Sequence, residues 1–362
     1  MDQQEQQQQA SEQHYAGLDV SLDATSICVL DAKGAVVWRG KCASTPEAIR
    51  DALRQHAPAL ARAGLETGQL SNWLTHGLRR LGVPVVCLDA RHAKAALKLQ
   101  LNKTDANDAL GLAQIVRTGW YREVAVKGMD AQTLRLLLVA RAQLVSQRQA
   151  LANTVRGLLK TFGLRIAHGS GGLFAPRVRE AAKGNDALLA IVDPMLLAWQ
   201  ALREQAAILD RQILARAKDD ATARRLMTVP GVGVVVALAY MAVIDDPARF
   251  RRSSSVGAYV GLTPKRHQSG EEDWTGHISR CGDGLLRAYL FEAAAVLLHR
   301  HPRACALRSW GLALAQRVGM RRAKVAVARK IAVLLHALWR RGEDFRWPEP
   351  AAAPPASTAT AA

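Results

Sequence analysis

The chain has 362 residues, 49% of them apolar and 22% charged, with a formal net charge of +18. That length and apolar content suffice for two or three domains with real cores and exclude an intrinsically disordered chain. No apolar run approaches the ~18 residues of a membrane helix, and the Gln-rich, acidic start lacks a basic-then-apolar leader, so a cytoplasmic protein is expected.

The first expected elements are short apolar segments at 14–22, 25–31 and 35–42, separated by polar turns such as Asp31-Ala-Lys-Gly34. Ser44-Thr45-Pro46-Glu47 announces a helix, with a capping residue, Pro in the first turn and an early acid. A strand (LARAGLE) ends at Glu66, and the next helix carries Leu70, Trp73, Leu74, Leu78 and Leu81 on one face before stopping at Gly82. Strand VPVVCLD (83–89) and helical stretches from about 91 to 118 follow. Three meandering strands and then alternating helix and strand make an α/β domain with a mixed sheet.

Residues 131–163 read as one long helix, with Leu137, Leu144, Leu151 and Leu158 every seven residues, flanked by Leu138, Val145, Ala152 and Leu159. Residues 186–217 repeat the theme with Leu188, Met195, Leu202 and Leu209. The pattern is that of antiparallel coiled-coil arms, for oligomerisation, for holding nucleic acid or for simple packing. The Gly/Arg-rich link at 164–185 is expected to be a flexible tip. After Pro230 a compact, mostly helical, basic domain runs to about residue 347, and its last strong helix, Lys324–Trp339, is apolar on one side and basic on the other. Low-complexity tails are expected at 1–13 and 348–362.

The pI is about 10.3. Charge is uneven: residues 249–346 hold 19 Lys/Arg against 7 Asp/Glu, where a merely solubilising surplus would be spread. Without an amphipathic anchor or lipidation signal, nucleic acid is the polyanionic partner to expect, and no membrane. Cys28, Cys42, Cys87, Cys281 and Cys305 form no CxxC pair, which argues against a zinc site or a disulfide frame.

Four acids stand out. Asp19 follows Gly17 in the first strand, and Glu66 ends a later one. Asp105 and Asp108 lie three apart after Thr104, a natural cap, so they share a face of a helix's first turn. Converging carboxylates repel one another, and divalent cations resolve the repulsion. Oxygen-only ligation suits magnesium or manganese, and two such ions about 4 Å apart can hold the attacking and leaving oxygens of an in-line phosphoryl transfer.

GLDVS (17–21), LETGQLSNWL (65–74) and NKTDANDAL (102–110) resemble the Asp-Glu-Asp-Asp transposases of the insertion-sequence 110 family, which includes the Piv-type invertases. TVPGVG (228–233), residues 245–287 and GMRRAKVAVARKIAVLLHALW (319–339) carry the resemblance through the C-terminal part. It implies an RNase-H/RuvC-like domain at 14–126, coiled-coil helices at 127–220 and a mostly helical basic transposase domain at 221–347. It also implies Asp19, Glu66, Asp105 and Asp108 as catalytic ligands of Mg2+ or Mn2+, two ions in all. Ser269, in His267-Gln268-Ser269-Gly270, would attack a DNA phosphate and form a 5′-phosphoserine. The partners so implied are donor and target DNA, a structured guide called the bridge RNA, and further copies in a homodimer or homotetramer, nucleoid-associated in a bacterium.

Read from the residues alone, Ser269 has rivals in Ser253, Ser254, Ser255 and Ser279, any of which suits a turn or cap. The serine and the acids lie about 160 residues apart, so the tertiary fold or another subunit must unite them. Gly270 would allow close approach to a phosphate. Pro230-Gly231-Val232-Gly233 resembles a helix-hairpin-helix turn, whose glycine amides hold a phosphate, or is an ordinary interhelical turn. Lys265, Arg266, Arg280, Arg321, Arg322 and Lys324 are the expected phosphate contacts. Arg329-Lys330 either joins these phosphate contacts or forms a solvated helix face, and Trp274 and Trp310 either stack on bases or pack. No helix reads as a major-groove probe, as expected if base pairing to a guide chooses the sequence. The alternatives are a RuvC-type junction nuclease with water as nucleophile and a non-catalytic nucleic-acid scaffold.

Overall fold

The computed structural model describes residues 13–98, 102–167 and 171–347, so the expected tails lie outside the described residues apart from Gln13. The chain divides into two compact units, residues 1–127 and 128–362.

The first unit is a five-stranded sheet with helices on both faces. Its strands are β1 (His14–Val20), β2 (Ala24–Leu30), β3 (Val36–Ala43), β4 (Leu60–Glu66) and β5 (Val85–Leu88), in the order β3-β2-β1-β4-β5. The first three are antiparallel, and β4 and β5 run parallel to β1. Helix α1 (Pro46–His56) starts as its sequence announces, with Thr45 accepting from the Ala48 N–H and Pro46 in the first turn.

The period-two alternation of a strand sorts the two faces. Ala16, Leu18, Ile27, Val29, Ala63 and Leu65 face α1 and α2 (Ser71–Arg80), where Ile49, Leu53, Leu74 and Leu78 complete a buried core. Trp73, expected in that apolar face, is 45% exposed, because Leu74, Gly77 and Leu78 fill the contact. The opposite face carries α3 (Ala90–Leu97) and α4 (Asp105–Thr118), with Leu112, Val116, Ala109 and Ala113 buried against it.

In the second unit, α5 (Met129–Lys160) and α7 (Asp186–Asp219) pack along each other, tied by Arg141 to Asp210 at 2.9 Å. The fully buried positions of α5 are Leu134, Leu138, Ala152, Val155 and Leu159. The sequence offered adjacent apolar rows, and the partner took the one displaced by one residue from Leu137, Leu144, Leu151 and Leu158. On α7 the buried row is Val192, Trp199, Ala206 and Ile213, again seven apart, with Leu188 and Leu196 beside it. The described part of the link between the arms is more ordered than expected: it holds α6 (Phe174–Ala181), whose Phe174, Ala175 and Val178 form a separate core with Trp199 and Leu159.

The remaining helices are α8 (Ala221–Met227), α9 (Val234–Ile244), α10 (Ser254–Tyr259), α11 (Gly284–His299), α12 (Ala306–Val318) and α13 (Met320–Arg341). α9 is apolar all round and lies at the centre, where buried Tyr240 donates to the Ala332 carbonyl at 2.8 Å. The largely helical reading needs one addition: an antiparallel hairpin of β6 (Pro264–Ser269) and β7 (Glu272–Ile278). Among the described residues no helix is long and apolar enough to cross a membrane.

Candidate active site

Two glycines decide where the acids go. Gly17 of β1 pairs with Gly64 of β4, side by side under α4. A Cβ on Gly17 would stand 2.1 Å from the Ala109 carbonyl oxygen and 2.3 Å from the Ala113 nitrogen, so α4 rests on bare backbone there. One strand period further, Asp19 and Glu66 project to the same face. One helical turn before Ala109 and Leu112, Asp105 and Asp108 lie on the side of α4 that meets the sheet. Thr104 caps this end, accepting from the Asn107 N–H. All four acids therefore gather where β1 and β4 end and α4 begins, close enough for Asp108, Asp105 and Glu66 to act on Asp19, and the helix N-terminus adds its partial positive charge.

Their mutual effect is visible in the proton affinities. Asp19 is pushed up to about 6, first by burial and then by the charges of Asp108, Asp105 and Glu66. Glu66 is also raised, by burial and by Asp108, against the lowering influence of Lys103 and Lys94. Asp105 moves the other way, because the Lys41 ammonium donates to its Oδ2 at 2.9 Å. Lys41 was not singled out in the sequence. It arrives by sheet register, since Asp19 pairs with Ser26 and Ser26 with Lys41, one row across three strands.

An all-carboxylate donor set, with the proton affinities of Asp19 and Glu66 raised by burial and crowding, fits a hard divalent ion. Among the described residues no three His, Cys, Asp or Glu side chains stand close enough to enclose one. The cluster is thus gathered but not closed, with exposed Asp105 turned to Lys41.

Ser269 lies at the end of β6, paired with Glu272, and its exposed hydroxyl makes no hydrogen bond among the described residues. Gly270, φ 57°, is the first of the two turn residues, the position at which a type II′ hairpin turn demands glycine. Ser253, a rival by sequence, is engaged with His336. The Pro247 carbonyl can only accept from His336 Nε2, at 2.9 Å, so Nδ1 is left to accept from the Ser253 hydroxyl at 2.8 Å.

The comparisons bear on both units. A family model described simply as a transposase, of the Asp-Glu-Asp-Asp insertion-sequence 110 kind, matches residues 16–163, and one described as "Transposase IS116/IS110/IS902 family" matches residues 223–308. The transposase for insertion sequence element IS1111A of Coxiella burnetii is 30% identical over 91% of this chain and 90% of its own length. This chain belongs to the IS110 family of transposases. A probable family 20 transposase of Pseudomonas aeruginosa is 31% identical over 91% of this chain and 98% of its own. The transposase for IS1328 of Yersinia enterocolitica is 25% identical over 64% and 69%.

In this IS110-family chain the basic residues expected to meet nucleic acid fall into groups. Arg266 is held across the hairpin by Asp273, which lowers the Asp273 carboxyl. Lys265 is exposed on the same strand. Arg280, Arg321 and Arg322 line one cavity. Lys324 sits 5.8 Å from the centre of the Phe291 ring. Gly231, φ 87°, has a packing role: a Cβ there would meet the Ala293 carbonyl at 2.4 Å, so α11 requires the glycine. Gly233, at the start of α9, has open space around it.

Proposed function

We propose that this IS110-family transposase is a metal-dependent, RNA-guided DNA recombinase whose first unit is an RNase-H/RuvC-like nuclease. The observation that carries the reading is the shared placement of Asp19 and Glu66, one strand period beyond the paired glycines, under the helix start that bears Asp105 and Asp108. These residues would hold two Mg2+ or Mn2+ ions, which supply Lewis-acid stabilisation of a phosphate and of the oxygens entering and leaving it.

The chain's own residues carry the rest. The Ser269 Oγ bonds to phosphorus and gives up its proton. The P–O3′ bond breaks, and the 3′ oxygen leaves as a hydroxyl, with the 5′-phosphate held on serine. Attack by a different 3′-hydroxyl reverses the step, frees Ser269 and joins the new strands. A primary hydroxyl needs activation for this, and an exposed hairpin position leaves Ser269 accessible to DNA. The guide RNA and the nucleoid setting follow from the resemblance alone. Coiled-coil pairing of α5 and α7 within the chain is supported by the seven-residue spacing of the buried row on α7, and the dimer or tetramer follows from the resemblance alone.

Trapping with denaturant tests the chemistry. Wild-type protein with magnesium and donor DNA should give a covalent protein–DNA adduct, lost in Ser269→Ala and in Asp105→Asn and kept in Ser279→Ala. An adduct that persists in Ser269→Ala refutes the assignment. RNA that co-purifies should be a structured species with segments complementary to donor and target; recovery of only bulk cellular RNA would remove the guide.

A further inference from the structure

A cavity of about 1350 Å³ opens in the second unit between the base of the hairpin, α11, α12 and α13. It is an open groove rather than an enclosed pocket, with room for an extended ligand. Its walls combine two features that seldom coincide. The floor is apolar, with Phe291, Leu307 and Trp310, and Trp310 is 39% exposed. The rim carries Arg280, Arg321, Arg322, Arg329 and Lys330, with no acid among the lining residues. Among the described residues none of these five forms an ion pair.

α13 sets the order along the groove. Arg321-Arg322, Val325-Ala326, Arg329-Lys330 and Val333-Leu334 succeed one another at four-residue steps on one face, all lining the cavity. Positive and apolar pairs thus alternate every turn, and the two positive pairs stand about 12 Å apart. Lys330 Nζ lies 4.7 Å from the centre of the Trp310 ring, so charge and aromatic surface are offered side by side. Arg280 enters from the opposite wall on a left-handed backbone, φ 54°, a conformation costly for a residue other than glycine.

We infer that this groove binds single-stranded nucleic acid, with bases on the Trp310 and Phe291 floor and phosphates on the Arg/Lys rim. Uncompensated positive charge selects a polyanion. An apolar floor selects one with unstacked bases, because a duplex presents phosphates but keeps its bases stacked inside. The inference rests on the reading of this chain as acting on nucleic acid and adds the strand state and the site.

The test uses full-length protein and fluorescence anisotropy with labelled 20-nucleotide probes: oligo-dT, oligo-rU, a mixed-sequence duplex, and an abasic strand of the same charge. Oligo-dT and oligo-rU should bind more tightly than the duplex, and whichever is tighter names the natural strand. Trp310→Ala should weaken the pyrimidine strands about tenfold, the size of one lost stacking contact. It should leave the abasic strand unchanged, and Trp310→Phe should retain most of the affinity. Arg321→Ala/Arg322→Ala should weaken all probes and reduce the single-strand salt slope by about 1.4. Equal losses for abasic and base-bearing strands, indifference to Trp310, or tighter duplex binding would each overturn the inference, as would a second copy of the chain displacing every probe. Ser269 adducts read in parallel separate the two readings: adducts without Trp310 dependence remove the groove alone, and Trp310 dependence without adducts removes the recombinase chemistry alone.

Discussion

The Lys41 ammonium stands 2.9 Å from Asp105 Oδ2, placed there by strand register rather than by any nearness in sequence. It makes one acid of the cluster answer to a built-in cation. Lys41→Met should free Asp105 and let divalent metal bind several-fold more tightly. Titration with Mn2+, followed by the magnetic resonance of the free ion, reads this without DNA. Unchanged or weaker binding would show that Lys41 does not compete.

Asp19 carries a pH signature. With its carboxyl at about 6, against 3.8 in the unfolded chain, the folded state holds more proton between those values. In chelator the stability that Asp19 contributes should therefore be lost as pH rises from about 4 to about 6. That difference amounts to at most about 3 kcal/mol, and solvent screening at a half-buried site brings this to about 1 kcal/mol. Asp19→Asn should flatten the profile, and magnesium should restore the wild type at neutral pH. Thermal melts with and without chelator decide it, and an Asp19→Asn profile indistinguishable from wild type over this range would contradict the crowding.

The paired glycines can be told apart. Gly17→Ala drives a methyl into the backbone of α4 at Ala109 and Ala113, which cannot move aside alone. Gly64→Ala meets the Val116 Cγ2 at 2.2 Å, a side chain that can be trimmed. Overpacking should cost about 1–3 kcal/mol at Gly64 and more at Gly17. Val116→Ala should rescue Gly64→Ala and leave Gly17→Ala unrescued in urea denaturation. Equal rescue of both would mean that α4 does not rest on the Gly17 backbone.

Ser253 and His336 give a stability prediction that separates them from the chemistry. Ser253→Ala leaves a buried imidazole nitrogen without a donor, at a cost of about 1–3 kcal/mol. Burial holds the His336 proton affinity below its ordinary value. Its contribution to stability is therefore present above about pH 6.5 and is lost as the pH falls below it. Melts of His336→Gln across that range should lack this slope, and the Ser253→Ala adduct yield should match wild type. Loss of the adduct in Ser253→Ala at full folding would move the nucleophile.

The acids were legible because each sits at a punctuated point: a strand after glycine, a strand end, a capped helix start. Lys41 was not, because cross-strand neighbours depend on register, and nothing in VVWRGKCA names its partner. The hairpin at 264–278 was missed for a different reason. β6 is exposed at every position, so it shows no alternation to read. The arms were legible in period but not in phase, since Leu137 and Leu138, or Leu158 and Leu159, offer adjacent choices that only the facing helix settles. Trp73 shows the same limit on α2, where size and hydrophobicity suggested burial and packing chose Leu74.

That bare β6 has a further meaning. β6 is exposed throughout and the hairpin meets the core at its base through Ile278; a two-stranded ribbon adds little stability of its own in water. Its rigidity has to be lent by whatever lands on it. On the proposed chemistry, the Ser269 hydroxyl mounted there would be idle in the free molecule, and the arriving strand would complete the tool that cuts it.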